Sequence, residues 1–197
     1  MASILITGGT GLVAKHLSKL LIERGHTISY LSRQKRTTPN WFYWNLNTNF
    51  IEEKAILEAN YIIHLAGENI AKKRWTRKRK KELFNSRVQS TNLLFQKVKT
   101  LNPNLKGFIA ASGIGYYGTI TSNKIYTEKD ESGNDFLSYV CKFWEMASLQ
   151  FKTTHTRTVI FRTGVVFAKN GGALKKIVKP IKLGFGAVLG RGNQYIP

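Results

Sequence analysis

"SILITGGTGLVAKHL", residues 3–17, sets a short apolar run against Gly8, Gly9 and Gly11 and then passes into a helical pattern. An apolar run ended by glycines marks a strand buried on both faces, as in a parallel sheet. Residues 12–24 carry apolar side chains at 13, 17, 20 and 21, which is helical spacing, and Gly25 follows as a stop just past the C-terminus. A dinucleotide site needs this order of parts. The turn must be tight, the backbone must reach a pyrophosphate with no Cβ in the way, and free N–H groups at the helix start must meet the phosphate oxygens. Gly8 and Gly11 suit the first two roles, and Ala14 suits close helix–strand packing. An ordinary strand-to-helix turn is the alternative reading of the same residues.

Outward from this stretch, strand-like and helix-like segments alternate. Strands are expected at residues 26–32, 41–44, 61–66, 107–112 and 157–162, and helices at 77–101 and 136–151. The first of these two helices has apolar residues at 84, 88, 95 and 98 on one face. Such alternation predicts an α/β fold with a doubly wound parallel sheet, helices on both faces, of the Rossmann type. No internal repeat or low-complexity linker interrupts it. The final stretch, residues 184–197, is Gly-rich and loop-like, and we expect the chain to continue beyond it.

With 197 residues the chain is long enough for one sizeable core. One cysteine, Cys141, rules out an internal disulfide. The first residues show neither a charged leader nor a cleavage site, and no apolar run nears the roughly 18 residues of a membrane span. A cytoplasmic protein is the expectation. Thirty-one Lys and Arg against 11 Asp and Glu give a charge of +20, which attracts polyanions. The densest run, residues 71–81, reads AKKRWTRKRKK, with Thr76 placed to cap the helix behind it. Other cations are scattered over the chain, which argues against a dedicated nucleic-acid face. A solvated helix face, attraction of an anionic ligand and nucleic-acid binding all remain open for the run.

The end of the second strand bears on cofactor choice. An NAD binder tends to place Asp or Glu there for the ribose 2′-hydroxyl. This chain has Ser32, Arg33, Gln34, Lys35 and Arg36, and no acid. Arg33 can grip a 2′-phosphate, which favours NADP(H) over NAD; stacking on adenine, or simple solvation, is the alternative for it.

Further stretches carry a resemblance: HLAGENIAKKRWT (64–76), SRVQST (86–91), AASGIGYYG (110–118), FLSYVCKFWEMAS (136–148), RTGVVFAKNGGALKK (162–176) and LGRGNQYIP (189–197). In this order the chain resembles the epimerase-family proteins of the extended, or atypical, short-chain dehydrogenase/reductase superfamily. That group includes nucleoside-diphosphate-sugar epimerases and NAD(P)-binding oxidoreductases. The resemblance implies that residues 1–197 form a cofactor-binding Rossmann domain, incomplete at its C-terminal end, with the small substrate lobe missing. It implies that Gly8, Thr10, Gly11, Leu12 and Val13 wrap the pyrophosphate, and that Ser32 and Arg33 meet the adenosine ribose or its phosphate. Leu65, Ala66 and Gly67 would line the riboses, and Arg162 and Gly164 the nicotinamide. Ser112 falls at the superfamily's catalytic Ser/Thr.

The superfamily's Tyr-x-x-x-Lys pair has no match. Setting Glu145 against the acid that often follows the lysine puts Leu137 at the tyrosine and Cys141 at the lysine. Tyr139 and Lys142 are three apart, not four. Tyr117, just after Ser112, is a candidate for the proton-handling role, with packing as its alternative. The expected function is therefore hydride transfer to or from a small, anionic or sugar-like substrate, or else NADP(H) binding without turnover. His16, His26, His64 and His155 are isolated and do not suggest a metal site. His64 is expected at the cofactor floor, and Trp41, Trp44 and Trp144 in the core or at its rim.

Overall fold

The computed structural model describes residues 1–119, 123–168, 171–188 and 192. Its centre is a seven-stranded sheet. The strands are β1 (Ser3–Thr7), β2 (Thr27–Ser32), β3 (Trp41–Asn45), β4 (Phe50–Ile51), β5 (Tyr61–His64), β6 (Gly107–Gly113) and β7 (Arg157–Thr163). They lie in the order β4-β3-β2-β1-β5-β6-β7, parallel except for β4, which runs antiparallel to β3. The order reverses between β1 and β5, so a crevice opens at their C-terminal ends. A separate two-stranded ribbon pairs β8 (Phe167–Ala168) with β9 (Gly171–Gly172).

Among the described residues five α-helices accompany the strands: α1 (Leu12–Glu23), α2 (Glu53–Leu57), α3 (Arg77–Leu101), α4 (Phe136–Leu149) and α5 (Leu174–Lys182). Side chains alternate along each strand, so the sheet has two apolar faces. Ile4, Ile6, Ile28 and Ile63 meet Ala14, Leu17 and Leu21 of α1 on one face. Leu5, Leu31, Ile62 and Phe108 meet Leu94 and Val98 of α3 on the other, together with Phe151 from the 3₁₀ turn after α4. α1 closes on Gly25 at φ 79°, where Gly25 N–H donates to Ile22 and His26 N–H to Leu21. That pair of bonds satisfies carbonyls the helix leaves open, and the left-handed residue between them is the one without a Cβ.

Most expected elements form within a residue or two of their predicted ends. The strand predicted over 61–66 stops at His64 because the next two N–H groups, of Leu65 and Ala66, leave the ladder for the Thr7 side chain. β4 and α2 went unpredicted: two and five residues are too short to show a period. The ribbon and α5 also went unpredicted, and most of the Gly-rich end, 189–191 and 193–197, lies outside the described residues.

The rings of Phe108 and Phe151 stack 3.7 Å apart, and both are wholly buried. Phe151→Ala opens a cavity at the centre of that face. We expect a loss of about 3–5 kcal/mol, read as a lower denaturant midpoint with an unchanged slope.

Candidate active site at the strand ends

The site begins with a hydroxyl. Thr7, the last residue of β1, is fully buried and sits in register with His64 of β5. Its Oγ1 accepts from Leu65 N–H and from Ala66 N–H, each at 3.1 Å, and lies 2.7 Å from His64 Nδ1. A hydroxyl has one donor and two acceptor positions. Both acceptor positions are filled, so the proton goes to Nδ1. His64 is then the neutral tautomer with hydrogen on Nε2, facing Ser90 Oγ at 3.2 Å.

These bonds draw the loop after β5 onto the glycine turn. A Cβ on Gly8 would stand 2.9 Å from the Leu65 carbonyl oxygen, and Gly8 has φ 72°. Both facts require glycine there. α1 starts on Gly11 with no side-chain cap, so its first N–H groups are free for a ligand. The glycine turn that precedes them lines a cleft of about 590 Å³ at the ends of β1, β2 and β5. Of the residues expected around a dinucleotide, Gly8, Thr10, Gly11, Ser32, Arg33, Leu65, Ala66 and Gly67 line it. Leu12 instead lies against Gly171, and Val13 is half-exposed.

The far end of the cleft holds an acid that the sequence did not mark. Glu68 Oε1 accepts from Arg33 Nη1 at 2.8 Å, and Oε2 accepts from Arg79 Nη1 at 3.1 Å. The Arg33 guanidinium, then Arg79, hold the Glu68 carboxyl below its usual range. This settles part of the basic run. Arg79 is 5% exposed and also bonds Glu82 and the Asn69 carbonyl, whereas the other seven cations of residues 72–81 are exposed. Thr76 caps α3, accepting from Arg79 N–H. Arg79 works as a structural tie between α3 and the loop after β5.

A second cluster stands at the ends of β6 and β7. Ser112 and Arg162 are register partners, and Glu145 of α4 reaches both. Ser112 Oγ donates to Glu145 Oε1 at 2.6 Å. Arg162 donates through Nε to Oε1 at 2.9 Å and through Nη2 to Oε2 at 2.8 Å, a two-pronged ion pair. Its Nη1 donates to the Tyr117 phenol oxygen at 2.8 Å, and that phenol donates to the Thr127 carbonyl at 3.0 Å. Glu145, first, and Tyr117 raise the pKa of Arg162 above its ordinary value. So Arg162 turns its donors to Glu145 and Tyr117, while Gly164 is exposed in the loop beyond. No local pattern marks Glu145 in the sequence; two residues from neighbouring strands, 33 and 17 positions away, make it a hub.

Tyr139 and Lys142 do not reach this cluster as a pair. Tyr139 is 51% exposed and packs on Phe84 and Phe143. Cys141 is buried, and burial raises its thiol pKa. Of the tryptophans, Trp44 and Trp144 are buried, and Trp41 lines the cleft. Among the described residues no His, Cys, Asp and Glu gather in threes to hold a metal. Nor is any described helix long and apolar enough to cross a membrane.

The reversed strand order, the glycine turn and the cleft at the strand ends define an α/β protein of the Rossmann type. Residues 4–177 match the model of the NAD dependent epimerase/dehydratase family, and the chain belongs to that family. It is 32% identical over 195 residues to an epimerase family protein of Mycobacterium bovis, spanning 99% of this chain and 64% of that one. It is similar at 33% identity to epimerase family protein SDR39U1 of Mus musculus, over 98% of this chain and 64% of the mouse protein. Among solved structures, human SDR39U1 (isoform 2) with NADPH aligns at a TM-score of 0.83 and 30% identity, covering 99% of this chain and 64% of that one. The nucleoside-diphosphate sugar epimerase of Corynebacterium glutamicum aligns at 0.82 and 31%, covering 97% and 39%. The chain thus spans about two thirds or less of these relatives.

Burial drives the His64 pKa from 6.5 down to about 3. The unfolded ring takes its proton near its ordinary value and the folded ring only near 3, so between those values protons favour unfolding. Stability is complete above pH 6.5 and falls as pH drops toward 3, by at most about 1.4 kcal/mol per pH unit from this ring. We expect His64→Gln to lose that part of the slope in denaturant unfolding between pH 7 and 4.

Proposed function

We propose that this chain binds NADP(H) in the cleft at the ends of β1, β2 and β5. There it would serve hydride transfer to or from a small, anionic or sugar-like substrate. The observation that carries the binding is the uncapped start of α1 behind a turn whose first glycine admits no Cβ. The pyrophosphate would lie on the N–H groups of residues 8–13, with Leu12 and Val13 contributing backbone only. Ser32 and Arg33 would meet the adenosine ribose and its 2′-phosphate, and Leu65, Ala66 and Gly67 the riboses. The NADPH in the human relative's structure supports the choice of cofactor. The exposed cations of residues 72–81 support an anionic substrate, and the sugar epimerase relative a sugar-like one.

When bound, the nicotinamide supplies the hydride donor or acceptor. The chain's own part is the proton. Tyr117 would donate it to, or take it from, the substrate oxygen, with Arg162 holding a fixed positive charge against the phenol oxygen at 2.8 Å. That is the electrostatic service the missing lysine gives elsewhere in the superfamily. Ser112 commits its proton to Glu145, so its oxygen lone pairs can accept from a substrate hydroxyl. Arg162 would border the nicotinamide from the end of β7, and Gly164 from the loop that follows it.

Leu137 and Cys141 at the positions of the pair favour a second reading: a protein that binds NADP(H) without turnover, as a sensor or regulatory partner.

Isothermal titration calorimetry tests the binding. We expect NADPH to bind the folded 197-residue chain, and Gly8→Ala to weaken it by about tenfold or more, from left-handed strain plus a clash with backbone. No association of either nicotinamide nucleotide at millimolar concentration would end the proposal. Turnover separates the two readings. Tyr117→Phe should slow NADPH oxidation by a carbonyl compound by about a hundredfold with NADPH affinity unchanged. Binding with no oxidation across a panel of aldehydes, ketones and quinones favours the regulatory reading.

A further inference from the structure

We propose that Glu68 is the acid that weighs the cofactor's 2′ position, so that the Arg33–Glu68 pair, and not Arg33 alone, sets the choice between NADPH and NADH. This rests on the cofactor reading above and deepens it.

The end of β2 contains no carboxylate, which by itself points to NADP(H). Yet the fold delivers one to the same place from 35 residues further along. Glu68, in the loop after β5, lines the cleft beside Ser32 and Arg33 and bonds Arg33 Nη1 at 2.8 Å. It is fixed on every side. Oε2 takes Arg79 Nη1, the backbone N–H donates to Ser86 Oγ at 3.0 Å, and the carbonyl accepts from Arg87 Nη2 at 3.1 Å. Arg33, by contrast, reaches in from a side chain that is 69% exposed. The carboxylate is therefore the stationary partner and the guanidinium the movable one.

The two cofactors meet this pair differently. A ribose 2′-hydroxyl has a proton to donate, and a carboxylate is its natural acceptor. A 2′-phosphate has only acceptors and negative charge. It needs the donors that Arg33 does not spend on Glu68, and it is repelled by Glu68 from a few ångströms away. Arg36 does not duplicate this balance. Its guanidinium lies 4.1 Å from the centre of the Trp41 ring, on the same rim, with no carboxylate bonded to it among the described residues. Glu68 thus holds NADPH preference below what the cations alone would give, and keeps a hydrogen-bond acceptor ready for NADH.

The test is calorimetric titration of NADPH and NADH, at one ionic strength, into the wild-type chain, Glu68→Gln and Arg33→Gln. Glutamine keeps an acceptor for Arg79 but removes the charge. We expect the NADPH-to-NADH affinity ratio of Glu68→Gln to rise by about tenfold over wild type, equivalent to about 1.4 kcal/mol. Arg33→Gln supplies a reading that does not depend on Glu68→Gln folding. In it Glu68 Oε1 is freed, so NADH should bind about threefold more tightly than to wild type while NADPH weakens. Loss of a cation without that acceptor would weaken both anionic ligands. An unchanged ratio in Glu68→Gln, or weaker NADH binding in Arg33→Gln, overturns the role of Glu68 and leaves the cofactor site standing. If wild type binds neither nucleotide, the cofactor reading itself has failed.

Discussion

The cleft depends on how closely two strand ends can approach each other. Thr7 and Gly8 end β1; His64 and Leu65 end β5. One hydroxyl fills all three of its hydrogen-bond positions between them, and one absent Cβ allows the backbone of the glycine turn to touch the Leu65 carbonyl. A valine at position 7 would match the size of threonine but would leave two N–H groups and a ring nitrogen unanswered in a buried place. Each such group costs about 1–3 kcal/mol. The neutrality of His64 fits the same arrangement, because full burial disfavours the charged ring. The glycine turn that leads into α1 is held at the wall of the cleft by this junction.

The second cluster meets a different electrostatic demand. An arginine and a glutamate set largely buried beside the strand ends are tolerable only if nearly every donor and acceptor is used. Arg162 uses Nε, Nη1 and Nη2, and Glu145 accepts from Ser112 as well as from both prongs of the arginine. The parallel register of β6 and β7 makes this possible by placing Ser112 and Arg162 side by side. α4 then needs to contribute one residue at the correct turn. The carboxylate thus ties a hydroxyl and a guanidinium from two neighbouring strands, and the guanidinium in turn holds the Tyr117 phenol.

The chain distance these ties span explains what could be read from the residues alone. The glycine turn, the alternation of strands and helices, Thr76 as a cap and most residues lining the cleft are local signals, carried by spacing and residue type. Arg79 is not such a signal: it looks like its seven neighbours in the basic run, and only the position of Glu68 and Glu82 in space singles it out. Glu68 and Glu145 act on partners 35 and 17 residues away, and no period links them. Leu65 and Ala66 read as strand because their apolar character continues that of β5, and it takes Thr7, 58 and 59 positions earlier, to divert their N–H groups. β4 exists only as the partner of β3, so a pattern of its own was never there to find.

The sheet order also fixes when the core can form. β1 is made first yet lies in the middle, and its flank toward β5 stays open until residues 61–64 have left the ribosome. β6 must likewise wait some fifty residues for β7. Pairings this distant close large loops before any contact rewards them, which makes assembly slow. During that interval a strand whose last four residues are buried in the folded chain is without one of its two neighbours, and nascent chains are then most exposed to mispairing with one another.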